Sequence, residues 1–389
     1  MPLFIPSLKA CLRLAALAVA GVVCACSPQW HVMDASPAAK SAQTQLQYDW
    51  AYELQAGPLK YFGAMPLELG QVAVHPAGFV VAGSSHGLVV AIKAESSEIY
   101  WKREFTSSIT AGPIIVDNVV YIGEGSNKVI ALNAFSGKTL WEYDTDAPVE
   151  HGLSIAHGYV AAVNANNRIF LLNANDGSLK WRRERPRSSG FAIYGQASPY
   201  IDGEFVYVGF SDGYLSAFAV QDGSAQWMRE LDPNLRFNDI SGQIARSADV
   251  LYVATASGGI TALNVSDGQS LWKREIADIS GVQVFQDSLF ISSNDGFYRL
   301  RASDGHVFWH NKVQDRPALS SFSLGKNYIY TSAPALGLIV IERKTGQTRY
   351  VLNAGTSFNA VPKLDKGALY LLSNKSVVYR LLVDDEPLI

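Results

Sequence analysis

A short glycine-rich motif is the first candidate for catalytic chemistry in this sequence. Residues 83–87 (Gly-Ser-Ser-His-Gly) match the G-x-S-x-G pattern of a nucleophile elbow, which needs a strand before it and a helix after it. Here an apolar, β-branched run precedes the motif at 80–82 and another follows it at 88–92. Because both runs have strand character, the motif predicts a hairpin turn and no catalytic serine.

The sequence gives equally little support for a metal-binding or a phosphate-binding site. His306 and His310 are four residues apart, and in a strand they would point the same way about 13 Å apart, too far to share one metal ion. The other histidines have no Cys, Glu or His at ligand spacing. There is also no phosphate-binding P-loop. We therefore predict no metal and no cofactor.

Charge and composition exclude one class of partner. The chain has a formal net charge of −3, with 48% hydrophobic and 17% charged residues. Aromatic content and low net charge predict a folded protein. A mildly acidic chain gives no global electrostatic case for phosphate contacts, and the short basic run at 182–187 has the pattern of a solvated loop, so we predict no nucleic-acid partner.

The amino terminus has the pattern of an export signal. Lys9 and Arg13 flank the start of an apolar run at 14–23, which is shorter than the roughly 20 residues of a membrane span. Residues 23–26 (Val-Cys-Ala-Cys) then resemble a bacterial lipobox, and all three cysteines lie in the first 26 residues. We predict a signal peptide at 1–25, and a lipidated Cys26 with a flexible tether at 26–46. The alternative is an ordinary cleaved signal with incidental cysteines.

An internal repeat organises the rest of the chain. Aromatic residues recur 37 to 46 residues apart, and each follows a turn glycine, or Ser97 in the first copy, by four positions. We predict that these residues dock one repeat against the next: Trp101, Trp141, Trp181, Trp227, Trp272, Trp309 and Tyr350.

Each copy of the repeat has the pattern of short strands joined by Asp-Gly or Ser-Gly turns, with no sustained helical periodicity. A four-stranded unit of about 40 residues cannot bury both faces alone, whereas a radial array of units can. An eighth copy begins at Gly355 but stops before its last strand, and residues 48–53 supply a strand of the missing type. The sequence therefore predicts an all-β, eight-bladed β-propeller of four-stranded antiparallel blades over 47–389, its ring closed by an N-terminal strand. Seven blades are the alternative.

The repeat (Ala-Leu-Asn, then Gly, then Trp) resembles the quinoprotein-type, PQQ-like propeller repeat over about residues 47–383. Joined to a lipobox, a single propeller of this size resembles the BamB family, lipoproteins of the outer-membrane β-barrel assembly machinery. The resemblance is sharper at 189–199 and 236–241. It implies a non-catalytic scaffold in the outer membrane, facing the periplasm. The implied partners are a BamA-like barrel protein, bound through its POTRA domains, and unfolded outer-membrane proteins.

The same resemblance implies a docking surface. Its residues would be Phe191, Ile193, Tyr194, Arg236 and Asp239. Two positions depart from the family pattern, because Tyr194 stands where the family has arginine and Ser241 where it has a second aspartate. Part of the family's charge pairing is therefore absent or rebuilt.

Residue chemistry independently favours an interface at the first of these loops. Large apolar residues beside Arg185 and Arg187 are typical of interface anchors. The alternative is a loop folded onto the propeller's own surface. If the docking surface is correct, Asp239→Arg should weaken partner binding and leave the propeller folded.

Two rival functions remain to be weighed against the scaffold. Quinone-dependent dehydrogenases hold their cofactor over the propeller axis with Ca²⁺ and an adjacent cysteine pair, and the chain after Cys26 has no cysteine. We therefore predict that the chain is not an enzyme. The second rival is an envelope propeller that binds a small molecule or peptide in its central funnel. Polar and aromatic side chains crowded around the axis would favour that alternative.

Overall fold

The structure is a computed structural model that describes residues 31–33, 46–54, 68, 70–149, 151–185, 197–235, 239–313, 318–353 and 355–388. Its regular elements within these ranges are β-strands, arranged in eight antiparallel sheets. The signal peptide and most of the predicted tether lie outside the described residues.

Each sheet is one blade, and its strands are hydrogen-bonded in a simple meander. The strands in chain order begin with β1 (His31–Met33) and β2 (Gln47–Glu53). Blade 1 is β3 (Ala73–His75), β4 (Phe79–Gly83), β5 (Leu88–Lys93) and β6 (Ile99–Glu104). Blade 2 is β7 (Ile109–Val116), β8 (Val119–Glu124), β9 (Lys128–Asn133) and β10 (Thr139–Asp144). Blade 3 is β11 (His151–Ala156), β12 (Tyr159–Val163), β13 (Arg168–Asn173) and β14 (Leu179–Glu184). Blade 4 is β15 (Tyr200–Ile201), β16 (Phe205–Gly209), β17 (Tyr214–Ala219) and β18 (Ala225–Glu230).

The second half of the ring repeats this arrangement. Blade 5 is β19 (Ile240–Ser247), β20 (Val250–Thr255), β21 (Gly259–Asn264) and β22 (Ser270–Arg274). Blade 6 is β23 (Ile279–Phe285), β24 (Ser288–Ser293), β25 (Gly296–Arg301) and β26 (Val307–Asn311). Blade 7 is β27 (Phe322–Leu324), β28 (Tyr328–Ala333), β29 (Gly337–Glu342) and β30 (Thr348–Asn353). Blade 8 contains β31 (Lys363–Asp365), β32 (Ala368–Leu372) and β33 (Val377–Leu382).

Blade 8 is completed by the amino-terminal strand. β2 pairs antiparallel with β33, with Gln47 opposite Leu382 and Glu53 opposite Val377. The predicted eight-bladed propeller, closed by an N-terminal strand, is confirmed. One further strand was not predicted: β1, from the region assigned to the tether, pairs with β30 as a fifth strand of blade 7.

The hydrophobic core is divided among the spaces between blades. The buried apolar residues form eight clusters, and each cluster combines side chains from two neighbouring blades, including blades 8 and 1. A blade therefore buries its faces only against its neighbours, which is the physical reason for the radial arrangement.

The recurrent tryptophans lie at these interfaces. The Trp141 Nε1 atom donates a hydrogen bond of 2.9 Å to the carbonyl oxygen of Ala174 in the next blade. Its indole ring covers the turn at Gly177, where a methyl group would lie 2.5 Å from the ring. The same bond to the next blade is made by Trp50, Trp101, Trp181, Trp227 and Trp272.

The last two aromatic positions of the repeat differ. The Trp309 ring covers the turn at Gly346, but its Nε1 atom has no hydrogen-bond partner among the described residues. Tyr350 packs against the cluster between blades 7 and 8. Blade 8 has no turn glycine to receive an indole there, because its third and fourth strands come from opposite ends of the chain.

A second repeated contact follows two residues after several of the tryptophans. Arg183 donates hydrogen bonds to the carbonyl oxygens of Asp222 and Gly223, and Arg274 donates to that of Gly305. Asn311 makes the equivalent contact with Gly346. Indole and guanidinium together therefore hold the turn of the following blade.

The carboxyl-terminal tail, which follows blade 8, adds a contact with blade 7. The buried Asp385 carboxylate accepts hydrogen bonds from the backbone N–H groups of Asn327 and Tyr328 and from the Tyr330 hydroxyl. Burial, together with the nearby Asp385 carboxylate, raises the pKa of Tyr330. The tail thereby joins the end of blade 8 to blade 7.

Gly177→Ala should destabilise the propeller more than Gly158→Ala. Both glycines have positive φ, +72° and +79°, so each substitution incurs a backbone cost of about 1–2 kcal/mol. Only at position 177 does the new methyl group collide with an indole ring, and overpacking adds about 1–3 kcal/mol. Urea titration of both variants measures the difference in unfolding midpoint. Equal midpoints would contradict the docking role of Trp141.

Asp385→Ala should lower the free energy of unfolding by about 3 kcal/mol, because hydrogen bonds to a charged group are lost and buried donors are left unpaired. Asp384, the neighbouring exposed aspartate, is the matched control, and Asp384→Ala should change stability by less than about 0.5 kcal/mol. Thermal and urea unfolding of both variants test the contact between Asp385 and blade 7. Similar losses in both variants would refute it.

Candidate functional site

The two segments predicted to dock a partner leave the propeller on the same face. The first connects β14 to β15 and the second connects β18 to β19, so each runs from the outer strand of one blade to the inner strand of the next. In an antiparallel meander, such connections share a face with the turns between second and third strands. Both segments are therefore attached at their ends to strands of blades 3 to 5.

Backbone contacts join the ends of the two segments. The Ala197 N–H donates a 3.2 Å hydrogen bond to the carbonyl oxygen of Ile240. Ser198 forms a parallel bridge with Gln243, and the Ile240 N–H donates to the carbonyl oxygen of Phe210. The structure thus brings together two segments that are about 40 residues apart in sequence. Four predicted docking residues, Phe191, Ile193, Tyr194 and Arg236, lie outside the described residues.

Arg185 fixes the start of the first segment. Its guanidinium forms an ion pair with Asp212, lies 3.7 Å from the centroid of the Tyr214 ring and contacts the Met228 sulfur. Tyr214 donates a hydrogen bond to Glu230, which raises the pKa of the Tyr214 hydroxyl. Arg185 is therefore committed to this chain rather than presented to a partner.

Asp239 has a different environment from the one expected of a contact residue. Its side chain is 3% exposed, and Ile240 beside it is fully buried against the backbone of blade 4. A partner could touch the Asp239 carboxylate directly only after the surrounding residues moved. The burial also contradicts the expectation that Asp239→Arg would leave the fold intact, since that substitution would bury a guanidinium.

A cavity of about 550 Å³ opens beside the second segment, between blades 4 and 5. Its lining combines apolar residues such as Leu235 and Ile276 with polar ones such as Asn234 and Glu275, and Leu235 is 38% exposed. At its base, Asp232 accepts a 2.6 Å hydrogen bond from the Thr255 hydroxyl and pairs with Lys273. The arrangement can accept an apolar side chain from another protein. The sequence analysis did not predict this cavity, although the apolar Leu235 directly before Arg236 was a signal for it.

The propeller axis contains a second cavity, a channel of about 700 Å³. Residues from every blade except the seventh line it, mostly glycine, serine, threonine and small apolar residues. Tyr200 is the one aromatic residue in this lining, and the lining contains no charged side chain. The polar groups of this lining are therefore uncharged side chains, mostly serine hydroxyls, with one aromatic ring among them.

The axial residues do not fit a calcium-held quinone. That cofactor needs carboxylate and amide oxygens around the metal ion, and the lining offers only the glutamine side chains Gln71 and Gln243. Across the described ranges, no group of three or more His, Cys, Asp or Glu residues is arranged to hold a metal ion.

The other chemical motifs are occupied by structural contacts. Residues 84–87 form the turn between β4 and β5, which confirms the predicted hairpin. The Ser85 hydroxyl donates to the buried carboxylate of Glu68, so its proton does not point at the histidine of the motif. His310 stacks on Tyr298 at 3.8 Å, whereas His306 meets the edge of Phe308.

Comparison with known structures identifies the class of fold, which several solved proteins share. The crystal structure of BamB from Moraxella catarrhalis has 22% sequence identity and a TM-score of 0.74, covering 87% of this chain and 100% of that chain. The computationally designed Ika8 protein has 16% identity and a TM-score of 0.68, with 82% and 98% covered. Quinohemoprotein alcohol dehydrogenase from Comamonas testosteroni has 13% identity and a TM-score of 0.69, with 90% and 78% covered. At these identities the likeness shows the fold alone.

The particular family follows from the sequence. Residues 85–311 match the family model described as "Outer membrane protein assembly factor BamB", which is more than half of the chain. The chain belongs to this family. No curated protein matches the sequence. In the part of the chain that the structure describes, no helix has the length and hydropathy needed to cross a bilayer.

Asp239→Arg should lower the thermal unfolding midpoint, because it buries an unpaired charge. Glu275→Arg is the matched control: Glu275 lines the neighbouring cavity, is exposed, and should tolerate the same change with little loss of stability. Differential scanning fluorimetry of both variants gives the comparison. If Asp239→Arg has the same unfolding midpoint as the wild type, the Asp239 carboxylate is accessible, and the expectation that Asp239 contacts a partner is supported again.

Proposed function

We propose that this protein is a non-catalytic scaffold lipoprotein of the outer-membrane β-barrel assembly complex, lipidated at Cys26 and facing the periplasm. It binds the POTRA region of a BamA-like barrel protein and aids the assembly and insertion of β-barrel proteins. Family membership supports the assembly role, and the lipobox pattern at 23–26 supports the anchor.

One observation carries the docking part of the proposal. The segments selected from sequence, 189–199 and 236–241, have their described ends joined on one face by the Ala197–Ile240 hydrogen bond. A cavity lies beside them, and Leu235 in its lining is exposed. Protein interfaces concentrate binding energy in a few anchors around such cavities. The blades hold the described ends of both segments next to each other, as a scaffold requires.

The absence of catalysis is part of the proposal. The same propeller frame occurs in quinohemoprotein alcohol dehydrogenase, so the fold alone does not decide it. Its support comes from residues: a chain without cysteine after Cys26, and an axial lining without carboxylates. The envelope propeller that binds a ligand in its axial channel is the competing function.

Replacing Phe191 and Ile193 together by alanine should weaken binding of the POTRA region about tenfold or more, because anchors of this kind contribute over 1 kcal/mol each. Leu179→Ala is the control, since Leu179 is 41% exposed but lies on the outer strand of blade 3, away from both segments. Affinity is measured by biolayer interferometry with the purified POTRA region.

The same protein, tagged and lipidated, is then purified from its own envelope and its partners identified by mass spectrometry. Recovery of a POTRA-containing barrel protein, lost in the double variant and kept in the control, supports the proposal. Wild-type protein that recovers no such partner would refute the scaffold and direct attention to the axial channel.

A further inference from the structure

The outer strand of a four-stranded propeller blade is an edge of its β-sheet. Such edges can pair with strands of other chains, and proteins prevent this by placing charged residues on them. In this propeller the three residues after each docking aromatic lie on the outer strand, except that the third, Glu275 in blade 5 and Lys312 in blade 6, directly follows it. Seven blades have at least one acidic or basic residue there: 102–104, 142–144, 182–184, 228–230, 273–275, 310–312 and 51–53.

Blade 7 is the exception. Its outer strand continues after Tyr350 with Val351, Leu352 and Asn353, none of which is charged. The one charged residue of this strand, Arg349, is bound within the blade through a 2.7 Å ion pair with Glu342. By composition, the edge of blade 7 is therefore suited to accept another strand.

These three residues are the ones that the amino-terminal segment covers. β1 pairs antiparallel with β30, with His31 opposite Asn353, Val32 opposite Leu352 and Met33 opposite Val351. The uncharged stretch and the added strand coincide residue by residue. Two independent features, edge composition and strand pairing, thus identify the same site.

We propose that the amino-terminal strand β1 docks on the edge of blade 7 and turns that edge toward the lipid surface that carries the anchor. This inference rests on the lipidation of Cys26 in the proposed function. Five peptide steps separate Cys26 from His31, a reach of about 17 Å when extended. Without the docked strand, the 21 steps to Gln47 would allow about 70 Å.

The direction of pairing also determines which face lies nearer to the lipid. His31 lies opposite Asn353, at the end of β30 that leads into the connection to blade 8. By the strand order, that end is on the same face as the two docking segments. The anchor therefore leaves the propeller on the face that receives the partner, in a different sector of the ring.

Disulfide trapping tests the strand pairing without reference to function. The lipidated chain has no free thiol, because its remaining cysteine is Cys26. Met33→Cys combined with Val351→Cys should form a disulfide under mild oxidation, since directly opposite residues in an antiparallel pair are close enough. Met33→Cys with Met228→Cys, on the exposed edge of blade 4, is the control and should stay reduced.

A second pair, His31→Cys with Asn353→Cys, gives the same readout if one variant folds poorly. Rapid cross-linking of either opposite pair, with none in the control, supports the docked strand. Folded variants in which neither opposite pair cross-links faster than the control would overturn the proposal.

Fluorescence quenching then tests which sector faces the lipid. A fluorophore is attached to Ala335→Cys on blade 7 or to Asn166→Cys on blade 3, at equivalent exposed turns on opposite sides of the ring. Lipidated protein is bound to phosphatidylcholine vesicles whose headgroups carry a quencher. We expect greater loss of fluorescence at position 335. Equal quenching at both positions overturns the membrane-facing edge. Failure of both proteins to bind vesicles refutes the proposed lipid anchor itself.

Discussion

The contact between the tryptophan of one blade and the turn of the next is the interaction on which the ring depends. The apolar clusters form only between neighbouring blades, so a blade alone has no buried core. The indole supplies apolar area, and its N–H supplies one directed bond that sets how the blades meet, as between Trp141 and Ala174. Glycine occupies the receiving turn in blades 2 to 7 for two reasons at once: the backbone has positive φ, and the ring occupies the space of a side chain. In blade 1 the equivalent residue is Ser97, also with positive φ.

The ring is closed by parts of the chain that are farthest apart in sequence. β2 completes blade 8, and Trp50 on that strand repeats the docking contact with Ala94 of blade 1. Asp385 then ties the tail to blade 7. A closed ring leaves no blade without a neighbour, so each connection between blades is held at both ends. This rigidity keeps Ala197 and Ile240, at the ends of the two segments, adjacent although nothing in their local sequence requires it.

The same frame serves proteins with different chemistry, and the residues at the axis and on the faces decide among them. This chain shares only its fold with the quinohemoprotein alcohol dehydrogenase. Here the axial lining is small and uncharged, while the face between blades 3 and 5 has a cavity with an exposed leucine and an ion pair between the exposed Lys273 and the buried Asp232 carboxylate. This distribution of residues is the basis on which we propose protein recognition at that face.

The sequence by itself determined the number of blades, the closing strand and the docking tryptophans of blades 1 to 5, because these depend on a period and on local turns that are visible along the chain. The hairpin at residues 83–87 was predictable for the same reason. Only the tertiary structure decided that Asp239 is buried, that Arg183 holds a turn in the next blade, and that β1 covers the edge of blade 7. Those properties depend on residues roughly 40 to 320 positions away. Burial and partner choice arise from packing between blades, which no local pattern encodes.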